Sequence, residues 1–246
     1  MADSAEIIAH RGYSARAPEN TLAALSAAVE AGADAVEFDL HVAACGTPVL
    51  FHDAMLSRTS NGVGPVRRRT FAQLKGLDAG AWFSPEFSGE RIPSFGEALD
   101  QLRDTEHRIY AEVKGFRELE DLDRMVDISR DRGMLDRTVF ISLNWITLDR
   151  IRGHDARPAI GYVVGGADEV DEALLRARGD TRALLDFRAD LILADPTIAE
   201  RALRQSAELA VWTVDDPSHA SGLLDLGVRR FTTNQVERLL DWRATL

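Results

Sequence analysis

The sequence predicts an α/β protein in which eight strand–helix units close into a (β/α)8 barrel, the TIM barrel. Short apolar strands alternate with helical segments along the 246 residues, as in a parallel sheet covered by helices. Nine strands can be counted, but one follows its predecessor after a turn too short for a parallel crossover, which leaves eight units. An open doubly wound sheet is the alternative. Its usual glycine-rich first turn is missing, because Arg11-Gly12-Tyr13 has no G-x-G-x-x-G continuation.

The predicted strands include one hairpin, in residues 36–51. Its first arm alternates apolar and polar residues, so Glu37 and Asp39 share one face. The second arm ends in His52, and folding the two arms together brings His52 roughly opposite Asp39. The seventh barrel strand is predicted to begin at 209 and the sixth to span 191–194. Strands are predicted to begin near residues 7, 35, 48, 108, 138, 159, 191, 209 and 228.

The predicted helices carry recognisable N-terminal signals. Asn20 or Thr21 can cap a helix over 22–29, and Ser94 a helix over 95–102. The remaining helices are predicted at 70–74, 119–132, 146–152, 169–178, 196–204, 217–226 and 236–242.

Domain organisation follows from the irregular stretch at about 53–107. It is predicted to be an insertion after the second barrel strand that covers a site, within a single domain of residues 1–246. Its aromatic residues Trp82, Phe83 and Phe87 either pack the insertion onto the barrel or meet an acyl chain, and packing is the commoner role.

Composition excludes several classes of protein. A net charge of −11 and a pI near 5.0 argue against non-specific nucleic-acid binding, so an anionic substrate needs local cations or a metal. The single Cys45 excludes an intramolecular disulfide and a cysteine-rich zinc site. No apolar run is long enough for membrane insertion, and residues 1–6 show no secretory signal, which predicts a cytoplasmic protein. The oligomeric state stays open.

Active groups in such barrels lie at the carboxyl ends of the strands. Each residue there also has a purely structural alternative: His10 as a satisfied rim histidine, Glu112 and Lys114 as an ion pair, Trp212 as a plug in the barrel mouth. Their joint placement on one rim favours a site. The residues that the predicted strand ends bring to this rim are His10, Arg11, Glu37, Asp39, Glu112, Lys114, Ser142, Asn144 and Trp212.

The rim chemistry suits a metal ion and a phosphoryl group. Oxygen ligands from Glu37, Asp39 and Glu112, without cysteine, match a hard divalent metal such as Mg²⁺ or Ca²⁺. Arg11 and Lys114 can offset the charge of a phosphate.

Two histidines complete the arrangement, because His10 and His52 can act as general acid and base on opposite sides of the phosphorus. This combination describes P–O cleavage better than acyl or hydride transfer. The motifs G-x-S-x-G, Walker A, H-E-x-x-H and C-x-x-C are absent from the sequence.

Six short motifs follow one another along the chain: His10-Arg11-Gly12, Pro18-Glu19-Asn20-Thr21, Glu37-Phe38-Asp39, His52-Asp53, Glu112-Val113-Lys114 and Val211-Trp212-Thr213-Val214. In order and spacing, from residue 7 to about residue 233, the sequence resembles the signature of glycerophosphodiester phosphodiesterases. The resemblance implies a TIM-barrel hydrolase of glycerol and lipid metabolism, which cleaves glycerophosphodiesters to glycerol 3-phosphate and an alcohol.

The same resemblance implies residue roles. Glu37, Asp39 and Glu112 would hold the divalent metal, and His10 and His52 would be the catalytic pair. Arg11 and Lys114 would bind phosphate, and Trp212 would pack on the glycerol. Glu19 and Asn20 would support the loop after His10.

The chain departs from the family pattern at two places. Cys45-Gly46 replaces Asp-Gly in the hairpin turn, and Thr233-Asn234-Gln235 stands where Thr-Asp often precedes a proline. The second change predicts that Asn234 acts as a helix cap.

Two other functions stay open. One is a lysophospholipase D-like phosphodiesterase that acts on a lipid substrate. The other is a non-catalytic barrel that binds phosphate at Gly165-Gly166 or at the helix start in 232–234.

Overall fold

The computed structural model of the protein describes residues 5–246 and contains a closed barrel of eight parallel strands, which confirms the predicted fold. The strands are β1 (Glu6–Ala9), β2 (Ala35–Val42), β3 (Pro48–Leu50), β4 (Arg108–Val113), β5 (Thr138–Ser142), β6 (Ala159–Val164), β7 (Ala183–Arg188), β8 (Glu208–Trp212) and β9 (Arg230–Thr233). Strand β1 pairs in parallel with both β2 and β9, and this double pairing closes the ring. Strand β3 is the hairpin arm and pairs antiparallel with β2 outside the ring.

Helices cover the outside of the barrel. Thr21 caps α1 and Ser94 caps α3 through a capping box, as their sequence signals predicted. The helices are α1 (Leu22–Ala31), α2 (Phe71–Lys75), α3 (Phe95–Leu102), α4 (Leu119–Asp131), α5 (Trp145–His154), α6 (Val170–Ala177), α7 (Ala189–Ala194), α8 (Thr197–Leu203), α9 (Pro217–Asp225) and α10 (Val236–Arg243).

One predicted strand is wrong. Residues 191–194 belong to helix α7, and the barrel strand is β7, eight residues earlier at its start. A short apolar run such as Leu191-Ile192-Leu193-Ala194 fits a buried strand and a buried helix turn equally well, so periodicity cannot separate them. The strand itself contains an acidic residue, Asp186, so its sequence does not have the apolar pattern of a buried strand. This correction matters for the site.

The interior of the barrel is filled by side chains that alternate with those facing the helices. The lower interior layers are apolar, and the same inward faces of β2, β4 and β7 carry carboxylates nearer the carboxyl end. The apolar interior residues are Ile8, Ala35, Tyr110, Val139, Ile141, Val163, Leu184 and Ala210. The barrel interior is therefore apolar in its lower layers and polar at the carboxyl end of the strands.

The segment after β3 forms its own small hydrophobic cluster against the barrel, which includes Phe51, Leu56, Val66 and Leu74. Helix α3, near the end of this segment, packs into the main core instead. Within the described part of the chain, no helix combines the length and apolarity needed to cross a bilayer. The predicted lack of a secretory signal rests on residues 1–6, of which the first four lie outside the described residues.

Candidate active site

Three buried carboxylates meet at the carboxyl end of the barrel. Asp39 on β2 is paired in register with Glu112 on β4, and Glu37 lies two residues before Asp39 on the same face. One oxygen from each of the three lies within 4.8 Å of the others. The three residues are nearly inaccessible, at 2%, 0% and 9% exposure for Glu37, Asp39 and Glu112. The sequence prediction that these three residues converge is therefore met by the geometry.

Each carboxylate keeps one buried oxygen without a hydrogen bond. These atoms are Glu37 Oε1, Asp39 Oδ1 and Glu112 Oε1. Lys114 Nζ lies 2.7 Å from that oxygen of Glu112 and 3.4 Å from that oxygen of Asp39, so charge attraction is present although hydrogen-bond geometry is not satisfied. Buried unpartnered carboxylate oxygens are costly. A set of three, all oxygens, fits a hard divalent cation.

The loop after β1 holds two of these carboxylates in place. The Arg11 amide donates to Glu37 Oε2 at 2.8 Å, and the Asn20 side-chain amide donates to Asp39 Oδ2 at 2.7 Å. Arg11 and Asn20 both have left-handed backbones, with φ of 56° and 58°. Such strain in non-glycine residues is typical of functional loops. Gly12, with φ of 74°, lies so close to Ala24 that a Cβ there would be 2.6 Å from its backbone.

The guanidinium of Arg11 lies between Glu19, at 2.8 Å, and Asp39, at 3.3 Å. Its Nη2 donates no hydrogen bond within residues 5–246, so that nitrogen is available to a substrate oxygen. Glu19 supports the loop, as the resemblance implied.

The pKa values of the three acids are shifted in different directions. Burial raises the pKa of Glu37 well above its ordinary value, and the neighbouring Asp39 and Glu112 add to this. Burial likewise raises the pKa of Glu112, although Lys114 opposes it. Burial would also raise the pKa of Asp39, but Lys114 and Arg11 outweigh it and the net direction is downward. Without a further cation, the surroundings therefore favour protonation of Glu37 and Glu112 and ionisation of Asp39.

His10 is fixed by an amide. Its Nδ1 lies 2.7 Å from Asn234 Oδ1, and the Asn234 Nδ2 donates to Asp215 Oδ2 at 2.8 Å. Because Asp215 can only accept, the Asn234 oxygen must face His10, so Nδ1 carries the proton and Nε2 has a free lone pair. Burial, followed by the charge of Arg11, lowers the pKa of His10 to about 4. His10 is thus neutral near pH 7 and able to accept a proton.

This contact corrects the prediction for Asn234. Helix α10 begins at Val236 with Gln235 at its N-cap, and Asn234 binds His10 instead of capping the helix. The other departure, Cys45, lies exposed in the hairpin turn and accepts a hydrogen bond from the Phe71 amide at 3.3 Å.

His52 has a different partner. Its Nδ1 lies 2.6 Å from Asp53 Oδ1, and Asp53 also accepts from Arg58 Nε at 2.7 Å. Arg58 reaches Glu19 as well, at 2.8 Å, so the insertion is tied to the loop after His10. Mainly through Arg58, the pKa of Asp53 is lowered, which keeps it ionised. The Phe51 amide donates to the Asp39 carbonyl oxygen at 3.0 Å, so His52 follows directly after a residue paired with the strand that carries Asp39.

Two further residues, Trp212 and Asp186, lie at the mouth of the barrel, and Asp186 was not identified from the sequence. The indole of Trp212 donates to the carbonyl oxygen of Asp186 at 3.2 Å. The buried Asp186 lines the same small cavity as His10 and Glu112. Asp186 escaped prediction because the strand that carries it was misplaced. Asp53, Arg58 and Asp215 were also missed as partners; only the adjacent carboxylate in His52-Asp53 could have signalled one of them.

The alternative phosphate sites are occupied by the chain itself. The Gly165 and Gly166 amides donate to Glu169 Oε2 at 2.9 and 3.0 Å, and the Asn234 amide donates to Asp215 at 2.8 Å. The Ser142 hydroxyl donates to the Val113 carbonyl oxygen and accepts from the Asn144 backbone amide. Because Ile141 faces the barrel interior, Ser142 faces outward.

The aromatic residues of the insertion pack on one another. Trp82, Phe83 and Phe87 make edge-to-face pairs at 5.7 and 5.6 Å. This arrangement fits packing of the insertion.

Known proteins are similar to this chain in both sequence and architecture. The model of the glycerophosphoryl diester phosphodiesterase family matches residues 10–238. The chain belongs to that family. It is 30% identical over 241 residues to a glycerophosphodiester phosphodiesterase of Caldanaerobacter subterraneus, with 96% of each chain covered. Family membership makes it a phosphodiesterase by class, as the motifs predicted.

Solved structures of family members superimpose closely on the chain. An Oleispira antarctica phosphodiesterase in complex with its product sn-glycerol-3-phosphate has a TM-score of 0.87, with 28% identity and coverage of 97% of this chain and 96% of that one. A glycerophosphodiester phosphodiesterase from Agrobacterium tumefaciens has a TM-score of 0.80, with 25% identity and coverage of 98% and 99%.

Proposed function

We propose that this family member hydrolyses glycerophosphodiesters to sn-glycerol 3-phosphate and an alcohol, in a reaction that depends on a divalent metal, Mg²⁺ or Ca²⁺. The observation that carries the proposal is the acidic cluster: Glu37, Asp39 and Glu112 offer oxygens within 4.8 Å of one another, and each keeps a buried oxygen that accepts no hydrogen bond within the described residues. Lys114 forms ion pairs with those oxygens of Asp39 and Glu112 but, within the same residues, not with that of Glu37. The product bound to the Oleispira relative supports the choice of substrate.

The three carboxylates would be the protein ligands of the metal. Ligands that are all oxygen suit Mg²⁺ and Ca²⁺, which prefer carboxylates and water. Such an ion, when bound, withdraws charge from the phosphoryl oxygens.

His10 acts as the general base in this proposal. Its Nδ1 proton is engaged by Asn234, so its free Nε2 can take the proton of the attacking oxygen, from water or from the glycerol 2-hydroxyl. Its low pKa keeps it unprotonated before the reaction.

His52 acts as the general acid. The ionised Asp53 at 2.6 Å stabilises the charged imidazolium, which can then give a proton to the leaving alcohol. His10 thus has an amide partner and acts as the base, whereas His52 has a carboxylate partner and acts as the acid.

Arg11 and Lys114 bind the phosphate. Arg11 Nη2 donates no hydrogen bond within the described residues. Lys114 lies at the edge of the cluster, with its pKa raised because Asp39 and Glu112 outweigh its burial. Both cations therefore stay charged and offset the charge that builds up on the phosphoryl oxygens. Trp212 provides an apolar face for the glycerol carbons.

The test is hydrolysis of glycerophosphocholine, followed as release of choline and glycerol 3-phosphate. We expect turnover that a chelator abolishes and that Mg²⁺ or Ca²⁺ restores, and little turnover of lysophosphatidylcholine. Glu37→Gln and Asp39→Asn should lose metal-dependent turnover, whereas Ser129→Ala, a buried change in α4, should not. Undiminished hydrolysis in the chelator would contradict the metal dependence, and preference for the lysophospholipid would contradict the substrate class.

We further infer that residues 1–246 form one domain, with the insertion at about 53–107 held by the Arg58 contacts to Glu19 and Asp53. Limited proteolysis that releases a stable fragment would contradict this. The cytoplasmic location stays a prediction from the sequence.

A further inference from the structure

Asp186 is a buried acid that the proposed mechanism does not use. It lies on the inward face of β7, two residues after the apolar Leu184, and is 4% exposed. Its Oδ1 is fully buried, and no hydrogen bond to its side chain exists within the part of the chain that the structure describes. Burial, with the charge of Glu112 added, raises the pKa of Asp186 to about 8. A buried carboxyl oxygen without a hydrogen bond in a barrel interior calls for a ligand or a function.

The space in front of this carboxyl group is small and lined by both polar and apolar side chains. A cavity of about 20 Å³ lies at the barrel mouth. That is room for a single water molecule or one hydroxyl group, since a water needs about 10–15 Å³ by this measure. The groups that face the cavity include His10, Glu37, Glu112, Asp186, Trp212 and Thr232.

Asp186 is separate from the metal cluster. Within the described residues, the acids that can share one ion are Glu37, Asp39 and Glu112, and Asp186 is not among them. It lies instead under Trp212, whose indole donates to the Asp186 carbonyl oxygen. Asp186 and Trp212 line the same cavity, and a carboxyl group beside an indole suits a carbon chain that ends in a hydroxyl.

We propose that Asp186 is a specificity-determining residue that binds the terminal hydroxyl of the glycerol group, at the end away from the phosphate. This rests on the proposed function and narrows it to substrates whose terminal hydroxyl is free. A hydroxyl group fits the cavity and pairs with the carboxyl oxygen. An acyl or alkyl group there would exceed the cavity and leave Asp186 unpaired, which a site built for a hydroxyl rejects strongly.

The experiment compares two diesters, glycerophosphocholine and the phosphocholine ester of 1,2-propanediol. The second keeps the hydroxyl next to the phosphate ester and lacks only the terminal one, so either attacking group remains possible. We expect the unchanged protein to prefer the first by about 10- to 100-fold in kcat/KM, the range of one good hydrogen bond to a charged or buried partner. Asp186→Leu should bring this ratio close to unity, and Asp186→Asn should keep most of it. Ser129→Ala, in which another buried unpartnered polar atom is removed, should leave the ratio unchanged.

A third substrate needs no variant. The terminal methyl ether of glycerophosphocholine should be hydrolysed at least about tenfold less well than the parent, because the cavity is too small for the added methyl. This comparison uses only the unchanged protein, so it tests the proposal even if Asp186→Leu fails to fold.

The outcomes separate the two proposals. Equal losses on both diesters in Asp186→Leu, with a weaker metal Kd, would place Asp186 in metal binding and overturn the inference. Full activity on the methyl ether would overturn it too. If the unchanged protein hydrolyses no glycerol diester, the proposed function fails. Calorimetric Kd values for sn-glycerol 3-phosphate and 1,2-propanediol phosphate then test Asp186 alone, and equal values overturn its role.

Discussion

Exchanging Asn234 and Asp215 tests how the protein sets the protonation of His10. In the parent, His10 Nδ1 donates to a neutral amide, which in turn donates to Asp215. The double variant Asn234→Asp with Asp215→Asn keeps both hydrogen bonds and moves the negative charge into contact with the imidazole. It avoids the pair of adjacent carboxylates that Asn234→Asp alone would create.

The size of the effect follows from Coulomb's law. Two opposite charges about 4 Å apart attract by about 4 kcal/mol at an effective dielectric constant of about 20, which is close to three pKa units. Observed shifts beside one opposite charge are about one to three units. The pKa of His10, about 4 in the parent, should therefore rise toward about 5 to 7 in the double variant.

The assay is the pH dependence of kcat/KM, joined to an NMR titration of His10. A general base works above its pKa, so the acid limb of the profile should move upward by about one to three pH units, and activity near about pH 5 should drop most. Asp215→Asn alone, which leaves the amide on His10, is the matched control and should shift the limb little. A His10 titration that moves while the acid limb stays at its parent value would refute the assignment of His10 as the base. A His10 titration that stays at its parent value would refute the reasoning from the Asn234 contact.

Other predictions address the remaining parts of the site and the core. His10→Ala and His52→Ala should each reduce turnover by about 10²-fold or more with an unchanged circular dichroism spectrum. Arg58→Ala should lower kcat by about tenfold, because it frees Asp53 and Glu19 together. Metal binding near neutral pH should release protons, since Glu37 binds them with a raised pKa. Calorimetry in two buffers should show this release, and a metal Kd that weakens as pH falls. Phe38→Ala should cost about 3–5 kcal/mol of unfolding free energy in urea titrations, because Phe38 is fully buried against Phe95.

Each of these has an outcome that contradicts it. Near-normal turnover in either histidine variant removes that acid or base, and an unchanged kcat in Arg58→Ala means that Asp53 needs no support. Metal binding that releases no proton contradicts the raised pKa of Glu37. Phe83→Ala, in the exposed insertion, is the control for the core variant, and an equal loss there would show that the cost is not specific to the barrel core.

Local sequence patterns were enough to predict most of the fold and the acidic cluster. Alternation placed Glu37 and Asp39 on one face, and the barrel rule brought Glu112 beside them. Strand β7 was not predicted, because the apolar run Leu191-Ile192-Leu193-Ala194 resembles a buried strand more than a segment that contains Asp186 does. The loss of that strand concealed the acid at the barrel mouth.

Partners far apart in sequence could not be found by pattern. Asn234 was predicted to cap a helix because capping is a local signal, whereas its actual partner His10 is 224 positions away. Arg58 reaches Glu19 across 39 positions in the same way. Such contacts depend on how the closed ring aligns its strand ends, which only the folded chain defines.

A crystal grown with Mn²⁺ and sn-glycerol 3-phosphate would test the metal site most directly. We predict one anomalous peak about 2.0–2.6 Å from carboxylate oxygens of Glu37, Asp39 and Glu112, with the phosphate between His10 and His52. A fully occupied manganese site elsewhere, with this trio bound only to protein or water, would contradict the account.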